Sequence, residues 1–175
     1  MITLISATNR PGSYTEKAAA VYRERLQLKN VPFQYFSLLD MPQDLLNNSM
    51  YDKPRNEQMV ALEQSVLIPA SKFVFVMPEY NGSYPGILKA FIDASDIKQC
   101  FHNKKAALVG VADGRAGNLR GMDDFTNVLN HMKINVLHLK IPISNIVAQF
   151  NENGQFTAHE SVGLMDRQID FLIDF

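Results

Sequence analysis

The stretch KFVFVMPEYNGSYPGILKAFID, residues 72–93, carries the signals that decide the fold of this sequence. An apolar run ends at Pro78, and a polar turn that contains Asn81-Gly82 follows it. Pro85-Gly86 then opens a segment with apolar residues at helical spacing, namely Ile87, Leu88, Phe91 and Ile92. Asn-Gly between apolar runs is also a hairpin signal, but the proline and the helical period favour a helix over a second strand. The stretch therefore predicts a buried strand, a loop and a helix.

The same alternation of strand and helix patterns recurs along the rest of the chain. Further strands are predicted over residues 1–6, 31–39, 105–112 and 135–141. Further helical patterns begin at Glu16, run over residues 56–67 and 122–132, and close the chain from Ser161. Residues 143–156 are ambiguous apart from a turn at Asn153-Gly154. Because strands separated by helix-length connections pair in parallel, the sequence predicts a three-layer α/β sandwich with a five-stranded parallel sheet in the order 2-1-3-4-5.

Composition limits the domain count and the partners. With 175 residues, 46% of them hydrophobic and 20% charged, the chain is long enough for one well-packed domain, which we expect to span residues 1–175. The 17 Lys and Arg residues nearly balance the 18 Asp and Glu residues, so nucleic acid and anionic membranes are not expected partners. The single Cys100 excludes an internal disulfide, and no apolar run approaches the ~20 residues of a membrane span. These features predict a cytoplasmic protein whose partners are small molecules or other copies of itself.

Three loops follow strands that would be neighbours in this order: residues 8–15, 78–83 and 113–118. Ligands of such sheets bind beyond the carboxyl ends of the strands, where the strand order reverses. The first loop has the composition of an anion cradle, since Thr8, Ser13 and Thr15 carry hydroxyls and Arg10 can pair two phosphate oxygens. The alternative is that Ser13 or Thr15 only caps the helix and that Arg10 is solvated. No P-loop motif is present, which argues against nucleoside triphosphate hydrolysis.

The third loop is rich in glycine, with Gly114, Gly117 and Gly121 in the spacing G-x-x-G-x-x-x-G. This spacing differs from the G-x-G-x-x-G of dinucleotide-binding folds, and it follows the fourth strand instead of the first. We interpret it as backbone that approaches a flat ligand, with an ordinary flexible turn as the alternative. Three loops of this kind at one edge predict a single binding site.

Three segments of the sequence resemble the NADPH-dependent FMN reductase family of flavodoxin-like quinone, azo-dye and chromate reductases. They are PEYNGSYPGILK in the centre, ATNRPGSYT near the start and GRAGNLR after the fourth strand, and the resemblance spans nearly the whole chain. It implies that the FMN phosphate is held by Thr8, Arg10, Ser13, Tyr14 and Thr15. It implies that the isoalloxazine ring runs along Pro78, Glu79, Tyr80, Asn81, Gly82 and Ser83, and that its pyrimidine side meets Gly114, Arg115, Gly117 and Asn118.

The resemblance also implies the chemistry. FMN would accept a hydride from NADPH or NADH and pass electrons to FMN, a quinone or a similar acceptor in a ping-pong scheme, so that no catalytic side chain is required. It implies a homodimer or a dimer of dimers. Two alternatives stay open: a flavodoxin-type electron carrier, and a phosphate-ligand binding protein without redox chemistry. Arg115 and Arg120 are candidates for the extra phosphate of NADPH, or else solvated charges.

The sequence departs from the family pattern at five positions. Ala7-Thr8 stands where Gly-Ser is common, which keeps the hydroxyl but loses some backbone freedom. Ala112 replaces a common Ser, and Asn118 replaces the second Gly of a usual pair. Asp113 adds a negative charge that would disfavour anionic reduced flavin. These changes predict altered contacts mainly in the third loop.

Conventional nucleophile and metal sites have little support in the sequence. Ser83 lies in N-G-S-Y-P, which is not a G-x-S-x-G motif. The histidines at positions 102, 131, 138 and 159 show no ligand spacing, so no metal site is expected. We predict that Cys100 is a small, unreactive residue.

Overall fold

The computed structural model describes residues 1–42, 48–51 and 53–175. The strands are β1 (Ile2–Ser6), β2 (Phe33–Ser37), β3 (Lys72–Pro78), β4 (Lys105–Val111), β5 (Asn135–Val136) and β6 (Ile141–Ile143). The helices are α1 (Tyr14–Leu28), α2 (Glu57–Leu62), α3 (Gly86–Ala94), α4 (Ile97–Cys100), α5 (Leu119–His131) and α6 (His159–Asp174). Short 3₁₀ segments lie at Leu38–Asp40, Asn48–Tyr51 and Ile146–Gln149.

The sheet has the predicted order. Its strands run β2-β1-β3-β4-β5 and pair in parallel, and β6 also pairs with β4. The register aligns Ile5 with Phe75 and Phe75 with Leu108, so that one row of side chains crosses the sheet on the same face. The fold prediction is therefore confirmed, with a sixth short strand added.

The sheet is buried on both faces, which explains the unbroken apolar run of β3. Phe73, Phe75 and Met77 point into the core under α2, α3 and α5, whereas Val74 and Val76 point into the core under α1 and α6. A strand with two buried faces shows no alternation of polar and apolar residues. Among the helices of the described residues, none is long and apolar enough to span a membrane.

The predicted fifth strand, residues 135–141, is wrong as one continuous strand. The chain pairs with β4 at β5, leaves the ladder, and returns at β6. The buried side chain of Gln168 fills the gap, because its Nε2 donates to Leu108 O at 3.1 Å and to Leu139 O at 2.7 Å. Its Oε1 accepts from Tyr22 Oη at 3.0 Å, so the inserted amide is satisfied on both sides. Burial raises the pKa of that tyrosine.

The predicted helix over residues 56–67 is present as α2 followed by a π-helical turn at Glu63–Leu67. Asn56 caps it by accepting from Met59 N at 3.1 Å. Glu63 is 3% exposed, and Arg55 donates to both of its carboxylate oxygens and to Ala94 O. This buried ion pair fastens the connection before α2 to the end of α3, and it holds the pKa of Arg55 above its usual value.

Replacement of Arg55 by alanine is expected to lower the free energy of unfolding by about 2–3 kcal/mol, because Glu63 would stay buried without its partner. The measurement is urea denaturation. Lys89→Ala is the control, since Lys89 forms an exposed i,i+4 pair with Asp93 that contributes less than about 0.5 kcal/mol. Equal losses in the two variants would contradict a special role for the buried pair.

Candidate functional site

A cleft opens at the carboxyl edge of β1, β3 and β4, where the sequence predicts a binding site. Its volume is ≈ 430 Å³, within the range of about 300–1,000 Å³ typical of small-molecule sites. It is lined by Arg10, Pro11, Gly12, Ser13, Tyr14, Thr15, Pro78, Glu79, Tyr80, Val111, Ala112, Asp113, Ile146 and Val147. The structure thus brings all three predicted loops to one place.

The first loop presents unused backbone donors to the cleft. Ser13 caps α1, since its Oγ accepts from Glu16 N at 3.2 Å. The preceding N–H groups of Tyr14 and Thr15 meet no acceptor among the described residues, as expected for the first turn of a helix. The expected cap at Ser13 is therefore present, and it leaves these two donors free for an anion.

Thr8 and Gly12 give the loop its shape. Thr8 is fully buried, and its Oγ1 accepts from Arg10 N at 3.2 Å, which closes a tight turn. Gly12 has a φ of +67°, in the left-handed region that glycine adopts without strain. The exposed Arg10 side chain makes no ion pair within the described parts of the chain. Its guanidinium is therefore available to a negatively charged ligand at the cleft.

Tyr14 lines the cleft, and its ring also contacts two residues that lie outside the lining. Its ring lies 5.5 Å from the ring of Phe150, measured between centroids. The ammonium group of Lys17 lies 4.5 Å from the centroid of the Tyr14 ring, a cation–π contact. Lys17 and Phe150 line a separate groove along α1 and not the cleft, so these contacts hold the Tyr14 ring from outside the site.

The second loop contains a tight turn. Tyr80 and Ser83 exchange backbone hydrogen bonds of 2.9 and 3.1 Å, and Asn81 and Gly82 between them both have positive φ, 52° and 79°. Two successive residues with positive φ are typical of a hairpin turn. The Asn-Gly signal therefore forms a local turn, but a helix follows at Gly86 as predicted, instead of a second strand.

The first and second loops touch at Thr8, a predicted site residue that does not itself line the cleft. Tyr80 Oη lies 3.5 Å from Thr8 Oγ1, and Glu79 N donates to Val111 O at 2.9 Å. Pro78, Glu79 and Tyr80 line the cleft, whereas Asn81, Gly82 and Ser83 do not. The Ser83 hydroxyl instead donates to Asp124 Oδ2 on α5 at 2.6 Å. The predicted ligand contacts of these last three residues stay predictions.

The third loop enters the cleft only through Asp113. Gly114, Arg115, Gly117 and Asn118 lie outside the lining. A Cβ on Gly117 would approach the carbonyl carbon of Pro142 to 2.7 Å, so this glycine permits the loop to pack on β6. Arg115 O accepts from Ser144 Oγ at 2.7 Å. Close packing thus accounts for Gly117 without a ligand, and the contacts proposed for these four residues stay predictions.

Besides Val111 and Ala112, where β4 ends, sequence reasoning missed one segment of the lining, Ile146 and Val147. Both belong to the 3₁₀ segment after β6, and Ile146 N donates to Ala112 O at 3.0 Å, which holds the segment against the cleft. Val147 is 46% exposed. The left-handed residue Asn145 begins this segment, with a φ of 47°. An asparagine before two apolar residues was the one signal available, and it is too common to mark a site.

A larger groove, of ≈ 630 Å³, lies between α1 and residues 150–156. Its walls include Phe150, Phe156 and Val162, and Arg25 at its side is already paired with Asp166 at 2.8 Å. The groove lies along the side of a helix and not at the strand ends where ligands of parallel sheets bind. We therefore assign the site to the smaller cleft.

The structure provides neither a reactive cysteine nor a group of metal ligands among the described residues. Cys100 is fully buried, and burial raises the pKa of its thiol to about 12, so it is a poor nucleophile at neutral pH. Within the described residues, no three His, Cys, Asp or Glu side chains are grouped so that they could hold a metal ion.

The fold and the cleft define a flavodoxin-like α/β protein with free backbone N–H groups at the start of α1. The family model of the NADPH-dependent FMN reductases matches residues 1–147, a span that contains every strand and all three loops. The chain belongs to this family. The family that the sequence predicts is therefore confirmed, and the description of that family contains the enzyme class and the cofactors, FMN and NADPH, that the sequence also predicts.

Individual relatives agree with this assignment. An NAD(P)H-dependent FMN reductase of Pseudomonas aeruginosa is 29% identical over 106 residues, which covers 59% of this chain and 57% of that protein. The match thus spans little more than half the length of the relative. Among solved structures, the flavoenzyme NAD(P)H:(acceptor) oxidoreductase FerB of Paracoccus denitrificans has a TM-score of 0.77 at 20% identity, with 99% of this chain and 97% of that chain covered. The apo form of the NADH:FMN oxidoreductase EmoB has a TM-score of 0.70 at 17% identity, with 98% and 89% covered. At these identities the two structures establish the fold.

Proposed function

We propose that this protein binds FMN in the cleft and catalyses the reduction of a small acceptor by NAD(P)H. The observation that carries the proposal is the position of the cleft, because it lies at the edge where the three loops of the family-matched segment meet. A cytoplasmic location stays a prediction.

The residues of the cleft fit FMN at both of its ends. The free N–H groups of Tyr14 and Thr15, with Arg10 beside them, suit a dianionic phosphate. At the other end, Pro78, Val111 and Ala112 give an apolar floor for a flat ring, and Ile146 and Val147 cover one side. The donor set and the apolar floor together match a phosphorylated aromatic ligand.

Bound FMN would supply the redox chemistry, accepting a hydride from the nicotinamide and passing electrons to a second substrate such as FMN or a quinone. The protein groups would act by orientation and electrostatics. Arg10 favours negative charge in the cleft, whereas Glu79 and Asp113 oppose it. Because donor and acceptor would use the same open side of the cleft in turn, we propose a ping-pong scheme.

The function is tested by mixing the purified protein with FMN and NADPH under anaerobic conditions and following the flavin absorbance. Rapid bleaching, with parallel double-reciprocal lines when donor and acceptor are varied, is expected for the proposed reductase. Tight FMN binding without bleaching would support an electron carrier instead, and no FMN binding would support a phosphate-ligand binding protein.

Arg10→Ala is expected to weaken FMN binding by roughly 1.5–3 kcal/mol, the contribution of a charge-assisted hydrogen bond to the phosphate. The measurement is titration of the flavin fluorescence. Arg120→Ala is the matched control, because Arg120 is exposed on α5 and does not line the cleft. An unchanged affinity in Arg10→Ala would remove Arg10 from the phosphate site.

We also propose that the protein is a homodimer in which a second copy packs on the helix that follows the second loop. A groove of ≈ 420 Å³ between α3 and α5 supports this, since Ile92, Ile97, Val128 and Met132 give it an apolar lining. The expected result of light scattering at micromolar concentration, with FMN bound, is the mass of a dimer or of a dimer of dimers. A monomeric mass would contradict the proposal.

A further inference from the structure

Asn118 is a buried polar residue at the N-cap position of α5, where an asparagine side chain usually caps the helix. It directly precedes α5 with a φ of 65°, and its side chain does not cap that helix. Instead, its Nδ2 donates to the carbonyl oxygen of Met77 at 3.1 Å. Met77 comes immediately before Pro78, so Asn118 ties the third loop to the start of the second.

Glycines make room for this side chain. The Asn118 Oδ1 occupies the space that a Cβ on Gly121 would need, and a Cβ on Gly110 would lie 3.0 Å from the Cβ of Asn118. Any larger residue at Gly121 would therefore displace the amide. The Asn118 side chain thus lies between Gly110 and Gly121, two residues without side chains.

The other end of the second loop is also attached to α5. Ser83 Oγ donates to Asp124 Oδ2 at 2.6 Å, and the ring of Tyr84 lies 5.2 Å from the ring of Phe125. A Cβ on Gly121 would approach the Ser83 carbonyl carbon to 2.7 Å, so helix and loop are in close contact. The beginning of α5 and the residue before it thus hold the loop of Pro78–Ser83 at both ends.

Stability alone does not explain an asparagine at this position. Asn118 is fully buried, and its Oδ1 has no hydrogen-bond partner among the described residues. A buried acceptor left without a partner costs about 1–3 kcal/mol. Glycine would avoid this cost and adopts a positive φ more readily. The asparagine therefore suits a role in placing the loop more than a role in stabilising the fold.

We propose that Asn118 is a positioning residue that holds the second loop against the cleft and thereby sets how tightly the flavin ring is bound. Through Asn118, the third loop then acts on the ring indirectly, by way of the second loop. The inference rests on the proposed function for its effect on FMN, whereas the effect on the loop itself is independent of any ligand.

The test is Asn118→Gly, which suits the left-handed backbone and removes the whole side chain with its amide. In the flavin-free protein, hydrogen exchange at the amides of Glu79, Tyr80 and Ser83 should become faster, while the melting temperature should not fall. FMN binding should weaken roughly threefold to tenfold, the factor expected for one lost hydrogen bond. Matched controls are Asn30→Gly and Asn103→Gly, which make the same substitution at positive φ far from the cleft. They should leave these amides and the FMN affinity unchanged.

If Asn118→Gly fails to fold, Asn118→Asp is the second test, because aspartate has nearly the same size and tolerates positive φ but its carboxylate has no N–H to donate to Met77 O. A further pair of variants tests the other attachment of the loop. Asp124→Ala removes the acceptor of Ser83, and Asp123→Ala on the same helix removes only an exposed pair with Lys140. Faster exchange at Ser83 in Asp124→Ala, with no change in Asp123→Ala, is expected if α5 holds the loop at this end. Unchanged exchange at Glu79, Tyr80 and Ser83 in the Asn118 variant that folds would overturn the proposal, as would a loss of FMN affinity that only follows a lower melting temperature. Failure of the wild-type protein to bind FMN would instead overturn the proposed function, and the exchange measurement would still decide the role of Asn118.

Discussion

The parallel pairing of β3 with β1 on one side and β4 on the other is the constraint on which the site depends. Because the three strands point the same way, the chain leaves all of them at one edge of the sheet, and the loops that follow must meet there. Both faces of β3 are buried, so a slip of one residue would exchange its Phe and Val side chains between two differently shaped cores. Packing of the core, and not the lining residues, therefore fixes where the cleft lies.

The sequence predicts this part of the structure well because its signals are local. A strand that is buried on both faces gives a continuous apolar run, and the proline and glycine after the second loop mark the start of α3. The fifth strand was predicted too long for the opposite reason. Residues 137–140 have strand-like composition, but Gln168, which belongs to the last helix, takes two of the acceptors at that place. No local pattern reveals a hydrogen bond across such a distance in sequence.

In the candidate site, too, features with a local sequence signal were predicted, and features that depend on distant contacts were not. The donors of the first loop and the apolar start of the second were predicted from composition and from the strand that precedes each. Ile146 and Val147 were missed, because their place in the cleft depends on one backbone hydrogen bond to Ala112. The glycines of the third loop were recognised, but the group that packs against them was not predicted, because a glycine in a sequence does not show which neighbour occupies the space. For Gly117 that space is filled by β6.

Hydrophobic burial and polar contacts thus have different tasks in this protein. Burial is not directional, and it brings strands and helices together without deciding where the segments between them lie. Hydrogen bonds are directional, and the buried polar side chains act where the chain leaves the sheet: Thr8 shapes the first loop, Asn118 reaches the strand before the second, and Gln168 bridges the gap after β5. Apolar periodicity predicts the first kind of contact but not the partner of a polar group. The cleft could therefore be located from sequence, whereas the shape of its rim could not.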